Sequence, residues 1–244
     1  VGTRNSGLKE SKDGGNTFST ITIGNNAAVN VTDLKVNSNN RIAVAYIDNG
    51  GKIAISAENN GDSFTNIFNN TSIGLSEDTV ALGRIALAFG EHNPDTLYAF
   101  VATNASNSIM NINGTLQGVY RTVNINNPSW SNIAPSTLGN GGNLGYAMSI
   151  CVNDRESNNP IVYIGGNDIK RGFDANGENA PYYWTALSSS YAVDTTGSYV
   201  APNIHNIFLM PNPTTEYDSI FMLVSTDAGI FTYNYDTIIH SLQW

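Results

Sequence analysis

The sequence predicts an all-β chain: a β-propeller with four-stranded antiparallel blades, one partial blade followed by four complete ones. Three observations lead there. The 244 residues hold 23 glycines and only 13% charged residues among many Asn, Ser and Thr, a composition of short strands and frequent turns. Short apolar runs recur in groups of four, here called strands A to D, with the same punctuation each time. Each group carries a large aromatic on or beside its fourth strand: Phe18, Phe64, Trp130, Trp184 and Trp244. A sandwich also spaces strands regularly but has no such four-beat unit, and a parallel β-helix needs a much shorter period.

The units follow in order. Val1-Gly2-Thr3 reads as the end of a strand B, Gly7–Ser11 as strand C, and Phe18 begins strand D, so the chain opens inside a blade. The second unit runs VTDLKV, RIAVAYI, KIAISA and a strand from Phe64. The third begins at Arg84 with RIALAF, turns at Asn93-Pro94-Asp95, and continues through TLYAFVAT and Gly118–Thr122 to Trp130. The fourth runs from Ala147 through AMSICV, IVYIGG and IKRGF to YYWTAL around Trp184. The fifth starts at Ile204 and closes on Trp244. The blades are expected at about 1–28 (partial), 29–83, 84–145, 146–203 and 204–244, forming a single propeller domain or a propeller fragment. The expected setting is a longer parent chain, because a partial first blade leaves radial closure undone.

Charge excludes several partners. Eleven Lys and Arg against twenty Asp and Glu give a net charge of −9, with no basic stripe for phosphate, so nucleic acid is not an expected partner. No apolar run reaches the ~20 residues of a spanning helix, and direct membrane insertion is not expected. A single cysteine, Cys151, rules out an internal disulfide; within AMSICV it reads as a buried small hydrophobe.

The stretch Ser11–Phe18, SKDGGNTF, lies at the C–D turn of the first blade. Its form is Ser-x-Asp-x-Gly-x-Thr-aromatic, matched by Ser11, Asp13, Gly15, Thr17 and Phe18. This resembles the Asp-box hairpin of the BNR-repeat propellers, a superfamily that includes sialidases, sortilin-type receptors and xyloglucan-active hydrolases. Asn59, Gly61, Ser63 and Phe64 repeat the spacing with Asn for Asp, and Thr122, Asn124, Ser129 and Trp130 repeat it more loosely. The resemblance implies a fold-stabilising hairpin on the face opposite the usual propeller pocket. The local physics agrees: an Asp side chain can accept backbone N–H bonds across its own turn, glycine supplies positive φ, and the aromatic is expected to pack between neighbouring sheets. One carboxylate without a second acid nearby is a poor hard-cation site, so no metal is expected at Asp13 and no cofactor elsewhere.

Chemistry-bearing residues are sparse. A sialidase-like site needs an arginine cluster, a Tyr–Glu pair and an acid/base Asp, and a glycosidase of the usual kind needs two carboxylates roughly 5–10 Å apart. The acids on the pocket-side loops are Asp48, Glu77, Asp78, Asp168, Asp194 and Asp227. Asp168 and Asp227 stand at equivalent places just before strand C and read first as turn-forming residues. His92, His205 and His240 are far apart and not at metal-ligand spacing; His205 opens a strand A and reads as packed.

The D–A and B–C connections share one face. Among their residues Tyr146, Tyr191 and Tyr199 stand with small polar neighbours, and with Asp168 and Asp227 they form the candidate ligand-binding set. Rigid aromatics among Ser, Gly and Asn suit a paratope-like surface, and stacking aromatics beside Asn and Asp suit neutral sugars; a plain solvated surface is the competing reading. The triplet Asp-(Ser/Thr)-aliphatic recurs at Thr79, Thr96, Ser219 and Thr237. It resembles the O-glycosylation site of secreted Bacteroidota proteins, and all four are expected in or beside surface turns. The overall expectation is a non-catalytic module of a secreted or cell-surface protein, binding a glycan or another protein through its loop-rich face. The alternative is a sialidase- or xyloglucanase-like hydrolase with catalytic residues partly outside this segment.

Overall fold

The structure, a computed structural model, describes all residues except 25, 77–81, 105–113, 135–137, 139–141, 155–159, 175–181, 191–198, 212–219, 237–240 and 244. It is a β-propeller. A two-stranded sheet pairs β1 (Leu8–Glu10) with β2 (Ser19–Ile21). Four four-stranded antiparallel sheets follow, each built from consecutive strands. They are β3–β6 (Asn30–Val36, Ile42–Ile47, Gly51–Ala57, Asn60–Phe68) and β7–β10 (Leu82–Phe89, Leu97–Thr103, Leu116–Thr122, Ser131–Asn132). Next come β11–β14 (Ser149–Asn153, Ile161–Gly165, Ile169–Phe173, Tyr183–Ala186) and β15–β18 (Ile204–Pro211, Ile220–Thr226, Gly229–Asp236, Ser241–Gln243). The first strands are innermost: β3 lies against β7, β7 against β11 and β11 against β15. Ahead of β1, Val1 exchanges both backbone hydrogen bonds with Lys9 at 2.7 and 2.8 Å, the place strand B takes in the complete blades.

The second strands β4, β8 and β12 are covered by a blade on both sides, whereas β16 alternates between buried and half-buried residues. Ala43–Tyr46 of β4 and Leu97–Ala102 of β8 are buried throughout, which is why these runs read as continuously apolar rather than alternating. Each large aliphatic or aromatic side chain removed from water there contributes roughly 1.5–3 kcal/mol. The fourth-strand aromatics join each blade to the one before. Trp130 donates its indole N–H to the Ile67 carbonyl at 2.8 Å, and Trp184 does the same to Ile133 at 2.9 Å. Phe64 packs against the core cluster that includes Leu8 and Ile23 of the first unit. Phe18 departs from the expectation: it is 53% exposed and packs between no described sheets. Trp244 lies outside the described residues.

The Ser11–Phe18 turn is closed by its own side chains. Asp13 accepts from the Thr17 N–H (2.9 Å), the Thr17 hydroxyl (2.6 Å) and the Ser11 hydroxyl (2.8 Å), while Gly15 N–H donates to Ser11 Oγ at 2.7 Å. These donors, the Thr17 hydroxyl first, pull the Asp13 carboxyl down to about 2. The copy at 59–64 does not reproduce this pattern: Asn59 Oδ1 accepts from Asn40 Nδ2 (3.0 Å), across the A–B connection of its own blade.

The face bearing the A–B connections is tied by another carboxylate. Asp154, 7% exposed, accepts the backbone N–H groups of Glu91, His92 and Asn93 from the neighbouring blade at 3.0, 3.0 and 3.4 Å. Thr96 lies beside that connection and is 4% exposed, its N–H bonded to Asn93 and its carbonyl to Gly90. Thr96 is therefore buried rather than at the surface as expected, because its backbone is tied into the turn between β7 and β8. Thr79, Ser219 and Thr237 lie outside the described residues.

Three of the four innermost strands carry a register shift near their start: Val31/Asp33, Leu82/Ile85 and Ile204/Asn206. A bulge leaves a residue unpaired and re-aims its side chain. The residues so released are Thr32, Gly83 with Arg84, and His205.

Candidate functional site

These bulges lie at the end of the sheets where the D–A and B–C connections emerge. Glycine allows the connections to converge there: a Cβ on Gly51 would stand 2.4 Å from the Gly83 carbonyl oxygen, and one on Gly83 would stand 2.8 Å from that of Thr103. Arg84, released by its bulge, donates from Nη1 to the Tyr146 carbonyl at 2.6 Å. Burial pushes its pKa down, with Asp33 opposing. Tyr146 sits on a turn in which its N–H and that of Ala147 both bond the Asn143 carbonyl, Asn143 being left-handed at φ 72°.

The side chains then meet across blades. Asp227 Oδ1 accepts from the Tyr146 hydroxyl at 3.0 Å and pairs with His205 Nε2 at 2.6 Å; Asp227 Oδ2 accepts from Asn203 Nδ2 at 2.8 Å. The Tyr146 and His205 rings meet edge-to-face with centroids 5.1 Å apart. The hydrogen bond from His205 first, then that from Asn203, holds the Asp227 carboxyl below its ordinary value. An ionised carboxylate only accepts, so His205 Nε2 carries the hydrogen of their bond. The same carboxylate raises the Tyr146 phenol, since its bond favours the protonated form. Asn203 Oδ1 is buried and without a hydrogen-bond partner among the described residues.

Of the residues singled out from sequence, the structure unites Tyr146 and Asp227. Asp168 is elsewhere: its Oδ1 accepts the Ser190 N–H at 2.6 Å and fastens the B–C turn to the D–A connection of its own blade. Tyr199, 43% exposed, stands edge-to-face on Phe231 with centroids 6.4 Å apart. Tyr191 lies outside the described residues, as do Glu77, Asp78 and Asp194. His205 corrects its expectation, being exposed at the mouth of the cluster rather than packed. Arg84 and Asn203 were not among the candidates. The signal that points to them is positional: both stand at the loop-side start of an innermost strand.

Among the described residues no group of three or more His, Cys, Asp or Glu is placed to hold a metal ion. Cys151 is half-buried beside the β12–β15 core, and burial raises its thiol pKa, the opposite of an activated thiolate.

No family model matches the sequence, and no curated protein does. Solved structures do. A NanB sialidase from Streptococcus pneumoniae aligns over 89% of this chain and 32% of its own at 13% identity, with a TM-score of 0.49. A Hadza microbial sialidase aligns over 95% and 44% at 12% identity and 0.48. An α-L-arabinofuranosidase from Fusarium graminearum aligns over 93% and 66% at 10% identity and 0.48. This chain spans less than half the length of those two sialidases.

Proposed function

We propose that the loop-rich face, centred on Tyr146, Asn203, His205 and Asp227, binds a glycan, and that the chain serves as a non-catalytic module of a larger secreted or cell-surface protein. One observation carries the reading: the only carboxylate among the described residues of the cluster is held ionised by three side-chain partners. Glycoside hydrolysis of the usual kind needs, beside an ionised carboxylate, a second acid that keeps its proton through a raised pKa. Here the carboxyl is lowered and the phenol raised. The arrangement instead suits recognition. Tyr146 is 48% exposed to solvent, and the Asp227 carboxylate, held by Asn203, offers an acceptor whose geometry is set before a ligand arrives. The first hairpin, with Asp13 bonded as an Asp-box requires, supports a place in the BNR-repeat group, as a scaffold element remote from this face. Acidic, Asn-rich composition supports an exported protein.

The test is glycan-array binding followed by calorimetry on the hit, with Tyr146→Ala alongside. The reading expects saturable binding that Tyr146→Ala weakens, and no release of monosaccharide from the bound glycan over long incubation. Catalytic turnover would replace it with the hydrolase reading.

A further inference from the structure

A second feature of the same face belongs to neither the cluster nor the scaffold. The second blade holds a cleft of about 380 Å3, lined chiefly by Asn49, Gly50, Gly51, Lys52, Asn66 and Asn69. Its volume falls within the ~300–1,000 Å3 of small-molecule sites. Its construction is specific. Asn49 and Gly50, at φ 50° and 110°, make the left-handed turn between β4 and β5, which presents the Asn49 side chain to solvent. Tyr46, buried at 1%, donates its hydroxyl to Asn66 Oδ1, which leaves Nδ2 of that amide as the outward donor. Asn69 Oδ1 is likewise occupied by the Thr71 hydroxyl (2.7 Å) and by the Ser72 N–H and hydroxyl (3.0 and 2.9 Å). Lys52 Nζ stands 3.6 Å from Asp48 Oδ2. The rim is therefore rich in oriented donors yet locally neutral.

We infer that this cleft is a separate binding site for an uncharged, hydroxyl-rich saccharide residue. Sugar hydroxyl and ring oxygens accept from the Asn66 and Asn69 amides and from Lys52. The Asn49 amide presents a donor beside an acceptor, complementary to adjacent hydroxyls that each do both. An anionic ligand is disfavoured, since it competes with Asp48 for the one ammonium and meets the Asp48 charge. The cleft also adjoins the path to the cluster: Gly50 and Gly51 abut Leu82 and Gly83, the residues preceding Arg84. The inference stands on these contacts and does not depend on the reading of the Tyr146 cluster.

The experiment is a titration of the isotope-labelled chain with methyl glycosides of glucose, galactose, mannose and N-acetylglucosamine, and with glucuronate, followed through the backbone and Asn side-chain amide signals. At least one neutral glycoside is expected to shift Asn49–Lys52, Asn66 and Asn69 saturably, with glucuronate several-fold weaker. Asn49→Gly, which suits the left-handed turn while deleting the amide, is expected to weaken that binding about fivefold. Shifts at Tyr146, Asn203 and His205 report the other site separately, so either can fail alone. The inference is overturned if no neutral glycoside saturates the cleft signals, if glucuronate binds there more tightly, or if Asn49→Gly binds undiminished.

Discussion

Asp168 and Asp227 occupy the same address in successive blades, just ahead of the third strand, and do opposite things. Asp168 works inward: its carboxylate takes the Ser190 N–H and locks a turn to its own blade's next connection, while the Ser188 hydroxyl accepts the Ile169 N–H beside it. Asp227 works outward, onto side chains of two D–A connections and a bulged strand start. The difference lies in what else closes the turn. At the fifth blade the Thr226 hydroxyl accepts the Ala228 N–H at 3.1 Å, and Gly229 takes φ 132° at no steric cost. With the turn closed by a hydroxyl and a glycine, the acid is left to reach across blades. An acid at the same turn position thus ties its own blade together in one unit and reaches side chains of other connections in the next.

The contrast can be broken in several ways, taken from the largest expected effect. Asp227→Ala should reduce affinity for the glycan proposed to bind the loop-rich face by about tenfold or more, the scale of losing a charged acceptor and its ordered partners. It should leave the urea midpoint of unfolding unchanged. Undiminished affinity, measured by calorimetry, would remove Asp227 from the site. Asp168→Ala should do the reverse, costing about 1 kcal/mol in urea unfolding while glycan affinity stays constant.

Thr226→Ala probes the cause. Without the hydroxyl, Ala228 N–H loses its acceptor and the Asp227 carboxylate is recruited to the turn. The Tyr146 phenol, raised by Asp227, should then titrate closer to its ordinary value in ultraviolet difference spectra. An unmoved Tyr146 titration would show that the hydroxyl does not release the acid.

The smallest effect concerns pH. Asp13 and Asp227 both have folded carboxyl pKa values below the ordinary ~3.9. A depressed pKa means that their contributions are fully present above the unfolded value and are lost as pH falls through the folded one. Carboxyl carbon resonances should therefore show Asp13 titrating at about 2 and Asp227 below the usual range, with the Asp13 hairpin bonds persisting at pH 3. Asp227 titrating at its ordinary value would mean that its three partners do not hold it in solution.

The blades were legible because their causes are local and repeated. A second strand covered on both faces must be apolar without interruption, so LYAFVAT and IAVAYI announce it. A fourth-strand tryptophan that bonds the previous blade recurs in two successive units, at Trp130 and Trp184. Half of the candidate site was visible for the same reason: Tyr146 and Asp227 lie in connections whose face follows from strand count alone. His205 was misread because its position in a strand implies burial, and a single register shift between Ile204 and Asn206 reverses that implication. Phe18 was misread in the opposite sense, since a motif predicts an aromatic but not the presence of a sheet for it to pack on.

What the amino-acid order determined by itself is the repeating unit, the hairpin closed by Asp13, and the face on which the variable connections gather. These depend on alternation, turn chemistry and neighbours a few residues away. The tertiary structure alone decided that Arg84, Tyr146, Asn203, His205 and Asp227 meet, because they come from different blades. Their meeting follows from bulges and glycine contacts at the innermost strands, where packing between sheets, not local preference, sets where each side chain points.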